Sequence, residues 1–164
     1  MRLTSYTDYA LRALMYLALN RERLVTIQDI ADTHGIAKNH LTKVVHHLGL
    51  LGIVETVRGR SGGLRLAREP EEINIGAVVR ETESDFHIAE CFNGERDTCI
   101  YSASCVLQGT LGQATLAFLS VLDGVTLADM VKPASGRSGP RAKTNEAVRA
   151  VPLQFKPKAA VRAK

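Results

Sequence analysis

Two short helical stripes separated by a single glycine turn, followed at once by two alternating segments around an arginine-glycine loop, constrain this chain more than any other feature. Thr26-Ile27-Gln28-Asp29 has the form of a capping box. The threonine hydroxyl accepts a first-turn backbone N–H and the aspartate three residues on reaches back to the cap. A helix to about Thr33 follows, and His34-Gly35-Ile36 supplies a tight turn. A second helix over 38–51 carries Leu41, Val44, Val45 and Leu48 on its buried side, with Gly52 as its stop. Two short helices across a glycine turn make a helix-turn-helix. Residues 54–57 and 64–67 alternate like strands, and the polar run Arg58-Gly59-Arg60-Ser61-Gly62-Gly63 between them suits a hairpin tip. A hairpin in that position is a wing.

The rest of the chain is mostly helical in pattern. Thr4 or Ser5 caps a first helix whose apolar positions Tyr9, Ala10, Ala13, Leu14, Leu17 and Ala18 recur at three and four residues up to about Asn20. A helix over Ile75–Thr82, an irregular loop bearing Cys91, Cys99 and Cys105, and a long helix over 105–122 come next. That last helix places Leu107, Leu111, Ala114, Phe118 and Leu122 on one face, which serves either the chain's own core or a second copy. Thr126 caps a final short helix through Val131. Pro133, Pro140, Pro152 and Pro157 then break any periodicity, so 132–164 is expected to be disordered. The fold class expected is mainly α with a small β-hairpin wing, a winged helix-turn-helix plus a long dimerisation helix. It divides into a DNA-binding domain over 1–68, a linking helix and cysteine-bearing loop over 69–104, a dimerisation helix and short terminal helix over 105–131, and the basic tail.

The formal net charge of +4 gains meaning only when divided along the chain. The tail carries nine Lys and Arg against Glu146 alone, so the body is acidic overall. Within the body, residues 38–68 hold Lys38, Lys43, Arg58, Arg60, Arg65 and Arg68 against Glu55, whereas 69–97 hold nine acids against Arg80 and Arg96. Basic charge thus sits on the second helix and the wing, the two elements that meet a DNA groove. The first residues of a recognition helix lie at base edges, which singles out Lys38, Asn39, His40, Thr42 and Lys43. Asn39 suits adenine, Lys38 and Lys43 suit guanine or phosphate, and Arg58 and Arg60, with Ser61, lie on a tip that enters the adjacent minor groove. Aromatic residues are only 5% of the chain, too few for base-stacking RNA recognition. One recognition helix makes few base contacts, so a homodimer on a near-palindromic double-stranded operator is expected.

Neither a secretory signal nor an apolar run long enough to span a membrane is present, which points to the cytoplasm. In that reducing compartment three cysteines imply metal or redox chemistry rather than a disulfide. Their separations are wide for a zinc knuckle, and thiolates are the standard ligands of iron–sulfur clusters. From spacing alone a fourth ligand comes from His87, Glu90, Asp97, Gln108 or a partner chain. No C-x-x-C, nucleophile elbow or phosphate-cradling loop supports an enzyme.

The runs Met1-Arg2-Leu3-Thr4-Ser5-Tyr6-Thr7-Asp8-Tyr9-Ala10-Leu11-Arg12-Ala13-Leu14 and Val57-Arg58-Gly59-Arg60-Ser61-Gly62-Gly63-Leu64-Arg65-Leu66, with the cysteine triplet, resemble the IscR/NsrR/RirA family of winged-helix iron–sulfur transcription regulators. The likeness spans 1–131. Asn39-His40-Leu41 and Leu122-Asp123-Gly124-Val125-Thr126-Leu127-Ala128-Asp129-Met130-Val131 are most similar to its nitric-oxide-sensing branch. The resemblance implies a homodimeric repressor in which Cys91, Cys99 and Cys105 hold a 4Fe-4S or 2Fe-2S cluster, Asp8 of the other subunit completes coordination, and nitric oxide is the signal. The IscR branch has a histidine ligand three residues after its last cysteine, where this chain has Gln108. Similar cysteine spacing in the RirA branch keeps an iron-responsive role open, and a zinc or thiol redox sensor is a third alternative.

Overall fold

The computed structural model describes residues 2–94, 98–101 and 105–132. Apart from Lys132, the expected tail therefore lies outside the described residues. Helix α1 (Ser5–Leu19) begins at Thr4, whose hydroxyl accepts the Thr7 N–H, and α2 (Ile27–His34) begins at the expected capping box of Thr26 and Asp29. Gly35 at φ 64° ends α2 in the left-handed conformation that only glycine adopts freely. Helix α3 (Lys38–Leu50) follows, then the antiparallel pair β1 (Val54–Val57) and β2 (Gly63–Leu66) with Val54 opposite Leu66 and Val57 opposite Gly63.

Strand β2 starts one residue earlier than its alternation predicts, because Gly63 pairs across the hairpin. Leu64 exchanges backbone hydrogen bonds with Val25 on its other side, at 2.7 and 3.0 Å. This short bridge is invisible in the sequence, and it explains Gly63: a Cβ there would sit 2.9 Å from the Val25 carbonyl oxygen.

A 3-10 turn (Pro70–Glu72), α4 (Ile75–Thr82), a second 3-10 turn (Glu90–Phe92), α5 (Val106–Asp123) and α6 (Leu127–Val131) complete the chain. The core gathers on α1, where Ala10, Ala13, Leu14 and Leu17 are buried against Leu41, Val44 and Leu48 of α3, and against Val78, Val79 and Leu127. Each fully buried leucine or valine stabilises the fold by about 1.5–3 kcal/mol relative to exposure. Asn74 and Thr126 form a bridge through the Ile75–Val125 and Leu127–Ile73 backbone bonds, which places α6 on α1. Arg80 clamps the end of α5 through a bidentate pair with Asp123, lying over Gly76, where any Cβ would collide with the Asp123 carboxylate.

Helix α5 departs from a core helix. Only Thr115 and Leu119 are buried, Leu111, Phe118 and Leu122 are half-buried, and Val106, Leu107, Leu116 and Val121 stand 56–84% exposed. Of the predicted stripe, Leu107 and Ala114 are exposed and the rest half-buried, whereas the other exposed apolar residues, Val106, Leu116 and Val121, lie off it. Among the described residues, no helix is long and apolar enough to cross a membrane.

Helix α6 carries a capping box that the sequence reading identified only as a Thr126 cap. Asp129 accepts the Thr126 N–H at 3.1 Å and its carboxylate also meets Lys132. The Lys132 hydrogen bond and then the Thr126 backbone lower its pKa from 3.8 to about 2. A carboxyl depressed on folding contributes stability that is complete above its unfolded pKa and is lost as pH falls through the folded one. The protection of α6 amides against hydrogen exchange is therefore expected to fall between about pH 4 and about pH 2. Asp129→Asn should abolish that acid step.

Candidate nucleic-acid interface and cysteine loop

Every predicted reading-head residue is exposed: Lys38, Asn39, His40, Thr42 and Lys43 on α3, and Arg58, Arg60 and Ser61 on the wing tip. The buried side of α3 is the expected one, Leu41, Val44, Val45 and Leu48. Ala37 caps α3 without any side-chain hydrogen bond, which leaves first-turn N–H groups at a helix N-terminus suited to a phosphate. Thr42 is partly committed already, since its hydroxyl donates to the Lys38 carbonyl at 3.0 Å. The wing tip turns through Gly59 at φ 125°, and a Cβ on Gly62 would collide with the Val57 carbonyl.

The basic residues counted in the sequence separate into two kinds. Arg65 pairs with Glu55 directly across the hairpin at 3.0 and 3.2 Å, and that hydrogen bond holds the Glu55 carboxyl below its ordinary range. Arg68 donates to the Leu51 and Gly52 carbonyls at 3.0 Å and closes the end of α3 onto the wing. These two are structural. Lys38, Lys43, Arg58 and Arg60 have no ion-pair partner among the described residues, so, Arg2 and the carbonyl-bonded Arg68 aside, the unpaired positive charge among them lies on α3 and the wing.

Helix α1 joins this head to the cysteine loop, through contacts the sequence pattern did not identify. The Tyr6 hydroxyl donates to the Lys43 carbonyl at 3.3 Å and lies 3.1 Å from His47 Nδ1, while the Tyr9 ring meets His40 edge-on. Burial raises the Tyr6 phenol pKa, and its single proton serves the Lys43 carbonyl. At the same end of α1, the Thr4 N–H and hydroxyl donate to Glu83 at 2.8 and 3.2 Å, just where the loop leaves α4.

Cys91 lies in the Glu90–Phe92 turn, Cys99 is exposed, and Cys105 caps α5; no disulfide joins them. Gln108 donates its side-chain amide to the Cys91 carbonyl at 2.7 Å and its backbone N–H to Cys105 Sγ at 3.4 Å. Glu90 accepts from Thr98 across the loop, His87 stands beside Asp85, and Asp97 lies outside the described residues. Asp8 is partly exposed on α1 and pairs with Arg12 at 3.0 Å. Among the described residues, no three His, Cys, Asp or Glu side chains are gathered closely enough to hold a metal ion. The cysteines and Asp8 are thus not brought together within one chain. Three cysteine sulfurs on one loop are of the donor type that holds iron–sulfur clusters, and Asp8 offers a partly exposed carboxylate on another element.

A helix-turn-helix with an attached wing, unpaired basic groups on both and an uncovered long helix define a DNA-binding transcriptional regulator of the winged-helix class. Residues 3–133 match the family model Rrf2, described as an iron-dependent transcriptional regulator, and the chain belongs to that family. It is 56% identical over 132 residues to the HTH-type transcriptional regulator NsrR of Bacillus licheniformis, covering 80% of this chain and 92% of that one. Against NsrR of Bacillus subtilis the identity is 55% over 133 residues, with 80% and 91% covered. Among solved structures, T. potens IscR aligns with a TM-score of 0.65 at 28% identity, covering 80% of this chain and 87% of that chain. CymR of B. subtilis shares the fold at a TM-score of 0.63 and 24% identity, covering 80% and 96%.

Tyr6→Phe removes the hydroxyl and keeps the ring. It is expected to destabilise the chain by about 0.5–1.5 kcal/mol in denaturant unfolding. An unchanged midpoint would show that the α1–α3 hydrogen bonds carry no net stability.

Proposed function

We propose that the chain is a homodimeric repressor whose hold on a near-palindromic operator is governed by an iron–sulfur cluster that reacts with nitric oxide. The observation that carries this reading is the cysteine triplet on a loop joined to α1 by Thr4 and Glu83, with α1 in turn hydrogen-bonded to the recognition helix by Tyr6. In this reading 1–68 is the reading head, 69–104 the sensing loop and 105–131 the dimer element. The exposed apolar residues of α5 support a second copy there, since large uncovered apolar patches mark interfaces.

Cys91, Cys99 and Cys105 would hold the cluster, with Asp8 of the second copy completing the set. Such a cluster supplies iron centres open to attack by nitric oxide. Asp8 is suited to its part because its carboxylate is exposed and its present partner, Arg12, is an exposed i,i+4 neighbour worth little in stability. Exchanging that pair for a ligand bond would tie α1 to the loop of the second copy, and the Tyr6 and Tyr9 contacts link α1 to His40, Lys43 and His47 of α3. The base and phosphate contacts fall to Lys38, Asn39, His40, Thr42 and Lys43, and to Arg58, Arg60 and Ser61. Gln108 disfavours an IscR-like ligand set, because its amide is already bonded to the Cys91 carbonyl. The family description favours a second reading in which iron availability is the signal.

The test is an anaerobic titration of iron-loaded protein with nitric oxide, with iron and sulfide counted and operator affinity followed. Affinity is expected to fall about a hundredfold, equivalent to about 2.7 kcal/mol of coupling. Unchanged affinity after complete reaction contradicts the nitric-oxide reading, and zinc with a featureless visible spectrum contradicts the cluster.

A further inference from the structure

Helix α5 opens on an unusual cap. In a capping box the third helical residue sends its side chain back to the cap's own N–H. Here the cap is Cys105 and the third residue is Gln108, and only half of that pattern is kept. The Gln108 backbone N–H donates to Cys105 Sγ at 3.4 Å, but its side-chain amide crosses to the Cys91 carbonyl at 2.7 Å. One residue therefore holds both ends of the cysteine loop. One turn further along α5 stands Gly112, where a Cβ would lie 3.8 Å from the Phe92 ring. Positions 108 and 112 share a helix face, so the face that bonds Cys91 also lies beside the Phe92 ring, with no side chain at 112 between them.

We propose that Gln108 is a positioning residue that sets the separation of Cys91 and Cys105 and so pre-arranges two of the three sulfurs. As to what the sulfurs hold, this rests on the iron–sulfur reading above; the clamp itself does not. A long irregular loop loses conformational entropy when its donors are brought together, and a bond formed beforehand lowers that cost. The amide bonds the Cys91 carbonyl rather than its sulfur, so the clamp and sulfur ligation are compatible. Glutamine is suited to the role because its amide is a neutral donor of the needed length. A carboxylate of the same size has no proton to offer a carbonyl.

The experiment compares the full-length chain with Gln108→Glu and Gln108→Leu. Both variants keep the backbone N–H to Cys105 and the helix propensity of α5. In the metal-free protein, iodoacetamide labelling read by mass spectrometry is expected to speed up about fivefold at Cys91, as for loss of one hydrogen bond, with Cys99 unchanged. In the iron-loaded protein, transfer of iron to a chelator is expected to be about tenfold faster at equal starting iron content, with far-UV circular dichroism unaltered. Labelling at the wild-type rate in both variants overturns the clamp. Faster labelling with unchanged iron release overturns its positioning role. If the parent chain takes up no iron, the cluster reading fails while the labelling comparison still decides the clamp.

Discussion

The apolar face of α1 is the surface on which α3, α4, α6 and β2 assemble. Ala10, Ala13, Leu14 and Leu17 are each at most 2% exposed, and α3, α4, α6 and β2 all pack on this helix. Small residues at positions 10 and 13 let neighbouring helices approach closely, while Leu14 and Leu17 fill the space between them. The recognition helix is seated on α1 as well as on α2 and β1. Its buried side is held by the same helix whose first turn, through Thr4 and Glu83, is bonded to the beginning of the cysteine loop. A displacement of α1 is carried to α3 because a close-packed interface transmits strain rather than absorbing it.

Local chemistry made most of this fold legible. The Thr26 capping box, the glycine turn at 35, the stop at Gly52 and the alternating strands depend on residues within a few positions of one another, and each lies within a residue or two of its expected place. Contacts distant in sequence were not legible. The bridge of Val25 to Leu64 and that of Asn74 to Thr126 are backbone pairings that leave little periodicity behind. Asp129 completing a second capping box was recoverable, since it stands three residues after Thr126.

The site was legible in composition more than in geometry. Basic residues clustered on α3 and the wing pointed to the DNA face, yet counting could not show that Arg65 is paired with Glu55 and Arg68 committed to the end of α3. Gln108 was one of several candidate ligands by proximity in sequence, and the fold gives its amide to the Cys91 carbonyl instead. The cysteines remain uncongregated with any fourth donor among the described residues of a single chain. The long helix α5, with four large apolar side chains more than half exposed, agrees with a second copy seated on it.

Whether Asp8 serves the cysteines of the second copy is decided by complementation. One chain carries Asp8→Ala with its cysteines intact; the other keeps Asp8 and carries serine at 91, 99 and 105. A ligand given in trans leaves one complete site in each mixed dimer and none in either parent homodimer. Iron and sulfide counts per mixed dimer should then reach about half those of the wild-type dimer, well above both parents. Counts in the mixed dimer no higher than in the Asp8→Ala parent would contradict a shared ligand set.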